Sequence, residues 1–236
     1  MIEIKAKFNG LLPAAEYVRG TKLAKKEAVL LFARHGKTIF NKEKKLQAWF
    51  PDEDRLSPIG QLQAQSLCLP VSLFPVRWVA SSDMERAMQT ARLAAPRHSV
   101  TPFLFLRDFD FGRFGGMTFK GEGSELERLY PRLHWTFHNL RSNFAAPGGE
   151  RYADFPKRVI DGLLNVILPR SQGGVSFIVT HVGPLREILL KQILSSTIDQ
   201  YKPAFDQASL SIIHFGRDGS PTLLLYNNKD HLPPED

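Results

Sequence analysis

The amino-acid sequence predicts a three-layer α/β/α sandwich, in which a mostly parallel sheet carries helices on both faces. Short apolar runs, each typical of a buried strand, alternate along the 236-residue chain with segments of helical length. This alternation is characteristic of parallel strands that are joined by crossover helices. The composition is that of a globular domain, with 43% hydrophobic and 23% charged residues.

The first half of the chain predicts three strands and two helices. Residues 57–69 begin with Ser57, which can cap a helix, and with Pro58, which suits the first helical position. Residues 84–95 form a second predicted helix, which Pro96 terminates. The strands are the apolar runs at 28–34 (AVLLFAR), 76–81 (VRWVAS) and 101–106 (TPFLFL).

The second half of the chain ends in a predicted hairpin, whose strands at 208–215 and 222–226 flank the turn sequence GRDGS. A fourth apolar run, VSFIVT at 175–180, precedes it and predicts another strand of the main sheet. Three further helices are predicted at 123–144, 151–168 and 184–194. Pro131 is expected to interrupt the first of them.

We expect one domain over residues 28–236, because no repeat, low-complexity segment or linker divides it. Residues 1–27 are interpreted as an N-terminal extension with a short strand at 2–8. No apolar run approaches the roughly 18 residues of a membrane-spanning helix, and the N-terminus lacks a secretory signal. The sequence therefore predicts a soluble, cytoplasmic protein without membrane contact, and it leaves open whether the chain forms a homo-oligomer.

The cysteine content and the charge limit the partners of the protein. The single cysteine, Cys68, excludes an intrachain disulfide and a cysteine-based metal cluster. The net charge of +7 would suit nucleic acid, an anionic membrane surface or a small anionic substrate. The basic runs at 22–27 and 41–45 are short or interrupted, so we expect no nucleic acid partner.

Polar residues follow three of the predicted strands, at the places where ligands bind in sheets of this kind. RHG follows the strand at 28–34, SSDMER follows 76–81, and THVG follows 175–180. Taken singly, a histidine or an arginine at such a place is commonly structural. Together, the three strand ends supply Arg34, His35, Arg86 and His181.

These four residues together indicate phosphoryl transfer. Two converging guanidinium groups match the oxygens of a phosphate dianion. A neutral imidazole at the centre of such a site can attack phosphorus and carry the phosphoryl group on nitrogen. The positive surroundings disfavour the imidazolium form and stabilise the charged oxygens of the transferring group. Gly36 and Gly183 allow the backbone to approach the anion closely.

The same residues resemble the motifs of the histidine phosphatase superfamily, the phosphoglycerate mutase-like clan. Its Arg-His-Gly turn, followed by Thr and Asn, is matched by Arg34, His35, Gly36, Thr38 and Asn41. Further segments that are similar to motifs of the family follow in the same order along most of the chain. They are QAWFPDEDRLSPIGQLQA (47–64), SSDMERAMQTA (81–91), PGGERYADFPKRV (147–159) and VTHVGPLR (179–186).

The resemblance implies a phosphoglycerate mutase-like fold, a phosphohistidine on His35, and neither a metal ion nor another cofactor. Within such a site, Arg34, Arg86 and His181 would form the cradle of the phosphoryl group. Further phosphate contacts are implied for Thr38, Asn41, Gln47, Val182 and Gly183.

A carboxylic acid is also needed, to protonate the leaving oxygen. In similar phosphatases it is a glutamate in Leu-x-Glu-x-x-x-Gly, and the matching segment LRDFDFGRFGG holds Asp108 at that position. Asp110 is the reserve candidate, because it lies on the same face if the segment is extended. The sequence also departs from the family at Gly115, where relatives often carry glutamate, and at Ala48, which replaces a glycine.

We therefore expect a metal-independent phosphomonoester hydrolase that acts on a small phosphorylated metabolite, similar to α-ribazole phosphate or a sugar phosphate. Phosphoglycerate mutase-type transfer is one alternative, although the chain lacks the Glu-Arg-His-Tyr-Gly signature of that branch. A non-catalytic module that binds phosphorylated ligands is another, which the unusual acid leaves open. Residues 109–146 and the lysines after Asn41 are expected to set specificity.

Overall fold

The computed structural model describes residues 4–49, 55–119, 123–131, 144–193 and 204–234. Within these ranges the chain forms one six-stranded sheet with helices packed against it. The strands are β1 (Ala28–Arg34), β2 (Val76–Ser82), β3 (Val100–Phe103), β4 (Gly174–Thr180), β5 (Leu210–Phe215) and β6 (Pro221–Asn228).

The α-helices are α1 (Leu11–Gly20), α2 (Ile39–Lys42), α3 (Pro58–Ser66), α4 (Cys68–Ser72), α5 (Glu85–Ala94), α6 (Glu125–Leu129), α7 (Asp154–Gly162), α8 (Leu168–Ser171) and α9 (Val182–Ile188). A π-helical turn at Leu163–Ile167 joins α7 to α8, and another at Leu189–Ile193 continues α9. Two 3-10 turns, Leu104–Leu106 and Gly112–Phe114, follow β3 and flank an irregular segment.

The strand order across the sheet is β3-β2-β4-β1-β5-β6. β1 pairs in parallel with β4, and β2 pairs in parallel with both β3 and β4. Among the described strands, β5 alone runs in the opposite direction, because it is antiparallel to β1 and to β6. The predicted, mostly parallel sheet is confirmed, and the carboxyl ends of β1, β2 and β4 meet at one edge of it.

Successive residues of β1 point into two separate hydrophobic cores. Leu30 and Phe32 belong to the core that α7 and α9 cover. Val29, Leu31 and Ala33 belong to the core that α1, α4 and α5 cover. The sheet is therefore buried on both faces, which confirms the three layers and explains why its central strands are uninterrupted apolar runs in the sequence.

Several predicted elements differ in their bounds from the structure, and the third strand and the helix at 151–168 show why. The strand at 101–106 ends at Phe103, where the chain turns out of the sheet into a 3-10 turn. The hydroxyl group of Thr180 donates to the carbonyl of Leu106 over 2.6 Å and so holds this turn against β4. The helix at 151–168 begins only at Asp154, since Arg151 still pairs with Ala145 in an isolated β-bridge.

Smaller shifts occur in three other helices. The helix predicted at 57–69 is interrupted at Leu67, between α3 and α4. The helix predicted at 184–194 starts earlier, at Val182, and one residue separates it from the end of β4. Of the helix predicted at 123–144, the structure describes α6, and residues 132–143 lie outside the described ranges.

The N-terminal segment contains the helix α1, which the sequence analysis does not predict. The strand expected at 2–8 is not formed by the described residues 4–8. The main-chain N–H groups of Lys7 and Phe8 instead donate to the carbonyls of Leu223 and Leu224, so the segment runs beside β6. No helix within the described ranges is long and apolar enough to cross a membrane.

Candidate active site

His35 directly follows β1, and its side chain is fully buried. Nδ1 lies 2.8 Å from the carbonyl oxygen of Gly36, which assigns the ring proton to Nδ1 because a carbonyl can only accept. Nε2 is then the lone-pair nitrogen, and it has no hydrogen-bond partner among the residues that the structure describes. Burial, Arg86 and Arg34 lower the pKa of His35 well below its ordinary value, so the ring is neutral at pH 7.

His181 directly follows β4, and its ring centroid lies 5.0 Å from that of His35. Nε of Arg86 donates to Nδ1 of His181 over 3.3 Å, and Nε2 lies 2.9 Å from the hydroxyl oxygen of Ser82. Since Nδ1 accepts a hydrogen bond, Nε2 carries the proton and donates to Ser82. Both ring nitrogens are thus engaged, and a bound phosphate would have to replace one of these contacts.

Two arginines surround the histidines with positive charge. Arg86, in the first turn of α5, is among the largest fully buried side chains of the described residues. Arg34 is the last residue of β1, and its Nη1 donates to the carbonyl of Phe205 over 2.7 Å. Burial lowers the pKa of Arg34 to about 10, which still leaves it charged at pH 7. Burial and the charge of Arg86 also keep the pKa of His181 well below its ordinary value.

Asp108, the predicted acid, is a buried carboxyl group close to Gly183. Burial raises the pKa of its side chain, while the N–H of Phe109 and the charges of Arg86, Arg34 and Arg186 lower it. The N–H of Phe109 donates to Oδ1 over 2.9 Å. The carboxyl group thus combines an elevated pKa with cationic neighbours, which is the setting of a group that can exchange a proton with a phosphorylated ligand.

Asp110, the reserve candidate, has a different role in the chain. Its Oδ1 accepts a hydrogen bond from the N–H of Gly112 over 2.9 Å and so closes the turn at that glycine, whose φ is +49°. Its own N–H lies 3.5 Å from a carboxylate oxygen of Glu150. Asp110 thus bonds to the local backbone, whereas the charge of Asp108 acts on Arg34 and Arg186.

Thr38, Asn41 and Gln47 form one polar network after β1. Thr38 and Asn41 make a capping box at α2, since each side chain accepts from the main-chain N–H of the other. Nε2 of Gln47 donates to the hydroxyl oxygen of Thr38 over 2.8 Å. The three predicted contacts are therefore brought together, and the bonds between them stabilise the turn that begins with His35.

Val182 and Gly183 lie in the first turn of α9, directly after His181. A Cβ atom on Gly183 would overlap Oδ1 of Asp108 and would lie 2.9 Å from the ring of Phe155. Glycine at this position therefore allows the segment that carries Asp108 to close onto the end of β4.

The structure adds residues that the sequence analysis did not single out as functional. Arg186, in α9, acts on the carboxyl group of Asp108; burial lowers its own pKa and Asp108 opposes that shift. Ser82 accepts from His181. Both lie inside segments that resemble the family motifs, so a closer inspection of those segments could have found them. Trp49 and Arg158 bond to the carbonyl of Asp108, which no local pattern indicates.

The chain is similar to known proteins over most of its length. The model of the histidine phosphatase superfamily (branch 1) matches residues 30–229. A bifunctional protein of Mycobacterium tuberculosis is 29% identical over 206 residues, which cover 86% of this chain and 54% of that protein. A metal-independent phosphoserine phosphatase of Arabidopsis thaliana is 28% identical over 209 residues, which cover 86% of this chain and 82% of that protein.

Solved structures are similar as well. The α-ribazole phosphatase of Shigella flexneri superposes with a TM-score of 0.73 at 24% identity, over 85% of this chain and 96% of that one. Likenesses of this kind confirm the phosphoglycerate mutase-like fold. The chain spans about half, 54%, of the length of the mycobacterial relatives that it matches.

Proposed function

Because the chain belongs to the histidine phosphatase superfamily, branch 1, we propose that it is a metal-independent phosphomonoester hydrolase that forms a phosphohistidine on His35. The observation that carries this proposal is the environment of Nε2 of His35. This atom is buried, has no hydrogen-bond partner among the described residues, and belongs to a ring that is neutral at pH 7. Buried polar atoms are normally hydrogen-bonded, so its lone pair is available for a reacting group.

In the first step, Nε2 of His35 attacks the phosphorus atom of the bound monoester. The P–N bond forms while the P–O bond to the leaving group breaks, and Arg34 and Arg86 stabilise the charge on the transferring oxygens. The carboxyl group of Asp108 gives its proton to the leaving oxygen, so that a neutral alcohol departs. The elevated pKa of Asp108, which burial causes, keeps a protonated fraction available for this step.

In the second step, a water molecule attacks the phosphorus atom, and the P–N bond breaks. The ionised carboxylate of Asp108 takes a proton from that water, which restores the acid for the next cycle. The net reaction converts one monoester and one water into an alcohol and inorganic phosphate. Throughout, the guanidinium groups supply the positive charge at the phosphoryl oxygens, so the mechanism needs no metal ion.

The proposed substrate is a small phosphorylated metabolite, such as an α-ribazole phosphate-like compound or a sugar phosphate. The similarity to an α-ribazole phosphatase and to a phosphoserine phosphatase supports a monoester of a small, polar alcohol. We propose further that residues 28–236 act as a single domain, that residues 1–27 are an extension of it, and that the protein works in the cytoplasm.

The test is a screen of phosphorylated metabolites with the wild type, His35→Ala and a matched control, His98→Ala. His98 is a partly buried histidine that contacts the carbonyl of Val76 over 3.2 Å. We expect phosphate release by the wild type and the control, unaffected by a chelator, and an acid-labile phosphoenzyme that His35→Ala does not form. Full activity of His35→Ala would contradict the proposal. So would a loss of wild-type activity when the chelator is added.

The same screen separates the two alternatives. A phosphoglycerate mutase-type enzyme would yield an isomeric monoester in excess of free phosphate. A non-catalytic module would bind phosphate without turnover of any substrate. The closeness of the Asp108 carboxyl group to Gly183, together with its interaction with Arg34, favours the hydrolase, since a binding module has no use for a proton donor there.

A further inference from the structure

The carboxyl group of Asp108 is carried by a segment without regular secondary structure. Residues 107–111 lie between the 3-10 turns Leu104–Leu106 and Gly112–Phe114, after β3 has ended. No ladder of strand hydrogen bonds fixes this segment in the described structure. Other groups must therefore satisfy and hold its main chain.

Arg158, in α7, binds several carbonyl groups of this segment and of the turn before it. Nη1 donates to the carbonyls of Phe105 and Arg107 over 3.0 and 3.2 Å. Nη2 lies 3.4 Å from the carbonyl oxygen of Asp108. A guanidinium group carries five N–H donors in a rigid, planar fork, so one side chain can fix several carbonyls relative to one another.

Glu150 fixes the guanidinium group of Arg158 in turn. The two side chains form a bidentate ion pair, with Nε–Oε1 and Nη2–Oε2 distances of 2.7 and 2.8 Å. Only 21% of the Arg158 side chain and 12% of the Glu150 side chain are exposed, so water screens this pair little. Its planar geometry restricts the guanidinium group to one orientation.

Trp49 provides a further contact to the acid. Its Nε1 donates to the carbonyl of Asp108 over 2.9 Å. The guanidinium carbons of Arg107 and Arg158 lie 4.8 and 5.3 Å from the centroid of its ring. Arg107 is itself held by Asp83 through two bonds of 2.7 and 2.5 Å. Trp49 and Arg158 therefore both bind the carbonyl of Asp108, and Asp83 holds the side chain of the residue before it.

We infer that Arg158, oriented by Glu150 and assisted by Trp49, is a positioning residue that sets the place of the Asp108 carboxyl group for proton transfer. The inference rests on the proposed function, in which Asp108 is the acid. It assigns the correct placement of the carboxyl group during proton transfer to side chains on other elements. A misplacement of about 1 Å in a reacting group can cost about 100-fold in rate.

This role is distinct from an electrostatic effect on the Asp108 carboxyl group, although the charge of Arg158 does contribute to the lowered pKa of His181. The described bonds from Arg158 to the segment reach carbonyl oxygens and not the carboxylate. Burial causes the rise in the pKa of Asp108, and the charges that oppose this rise are those of Arg86, Arg34 and Arg186. Loss of Arg158 is therefore expected to displace the acid while the pH at which the acid titrates changes little.

The test compares two substrates that differ in their need for an acid. Nitrophenolate leaves from p-nitrophenyl phosphate as a stable anion, whereas the alkoxide of glycerol phosphate must be protonated as it leaves. The value of kcat/KM, which reports on the step up to the departure of the alcohol, is measured for both. The variants are Arg158→Gln, Arg158→Lys and Trp49→Phe, with Asp108→Asn as the reference for a missing acid. Lys157→Gln is the matched control, because its side chain is 78% exposed next to Arg158.

We expect Arg158→Gln to lower kcat/KM for glycerol phosphate about 10- to 100-fold more than for p-nitrophenyl phosphate, in the direction of Asp108→Asn. Arg158→Lys should recover part of that loss. Trp49→Phe, which removes one donor, should also lower kcat/KM more for glycerol phosphate than for p-nitrophenyl phosphate, but by a smaller factor. Lys157→Gln should match the wild type. The basic limb of the pH profile should stay in place in the Arg158 variants.

Three results would overturn the inference. If kcat/KM falls equally for both substrates in Arg158→Gln but selectively for glycerol phosphate in Asp108→Asn, Asp108 is the acid and Arg158 does not position it. A lack of selectivity in Asp108→Asn would reject the acid and the inference together. If Arg158→Gln does not fold, wild-type selectivity in both Arg158→Lys and Trp49→Phe would reject the inference.

Discussion

Nε of Arg86 donates a hydrogen bond to Nδ1 of His181 over 3.3 Å, so a charged guanidinium group fixes the tautomer of a neutral imidazole. If His181 took up a proton on Nδ1, the acceptor would be lost and two positive charges would meet in a buried site. Protonation of His35 is disfavoured in the same way, because burial and then the charges of Arg86 and Arg34 lower its pKa. The site is therefore built to keep both rings neutral.

Protonation of these rings should couple stability to pH. Burial and neighbouring charges hold the pKa values of His35 and His181 well below 6.5 in the folded chain, whereas the unfolded chain regains ordinary values. The unfolded state then binds more protons below pH 6.5, so stability falls as the pH falls, by about 1.4 kcal/mol per pH unit for each histidine. Urea unfolding between pH 7.5 and 5 measures this slope, and His181→Asn should lower it; an unchanged slope would contradict the assignment.

Asp108 should have the opposite effect on stability. Burial raises its pKa in the folded chain, so stability is lost as the pH rises through that value, and the ionised carboxylate is a cost at pH 7. Asp108→Asn should therefore raise the melting temperature at pH 7 while it abolishes most turnover of glycerol phosphate. A lower melting temperature at pH 7 would mean that the arginines stabilise the carboxylate more than burial destabilises it.

Arg186 should tune the acid through its charge. Burial raises the pKa of Asp108, and Arg186 is one of the cations that oppose this rise. In Arg186→Gln, the pH at which kcat/KM for glycerol phosphate declines should move upward, by a few tenths to about one pH unit. Arg170→Gln, which removes an arginine that stacks 5.8 Å from the ring centroid of Trp78, is the control. A shift to lower pH in Arg186→Gln would exclude this role.

Gly183→Ala should disable the site without a large effect on the fold. Its Cβ atom would overlap Oδ1 of Asp108 and crowd the ring of Phe155, so the acid has to move. We expect a loss of about 100-fold in kcat/KM for glycerol phosphate. Gly20→Ala is the control, because nothing lies within 4 Å of the position of its Cβ. Wild-type activity of Gly183→Ala would show that the acid does not need its present place.

Asp110→Ala should affect stability and not acid catalysis. Loss of the hydrogen bond from Gly112 to Asp110 is expected to cost about 1 kcal/mol of the free energy of unfolding. The ratio of kcat/KM for glycerol phosphate and p-nitrophenyl phosphate should stay at its wild-type value. A selective fall for glycerol phosphate, as in Asp108→Asn, would make Asp110 the acid instead.

The sheet and the strand ends could be predicted from the sequence because burial on both faces leaves a clear pattern. The strand predicted at 28–34 has the bounds of β1, since its residues 29–33 alternate between the two cores. The polar residues that follow such runs stand out, which is why His35 and His181 were found. The run at 101–106 is apolar too, but its last residues form a 3-10 turn, and apolar content alone does not distinguish the two.

The supporting contacts of the acid could not be predicted in this way. Trp49 and Arg158 reach the carbonyl of Asp108 across 59 and 50 positions of the sequence. Their partners are main-chain atoms, which are the same in every residue and leave no mark on the composition. The helix α1 was missed for a local reason, because Pro13 and the glycines at both ends suggest a turn in isolation.

The bonds from Arg158 to main-chain carbonyls have a consequence for how this protein could diverge. A carbonyl group survives any substitution of the residue that bears it, so a change of the Phe105 side chain leaves the acceptor for Arg158 in place. Descendants of this chain could therefore change side chains in this loop while the backbone that carries Asp108 keeps its bonds to Arg158.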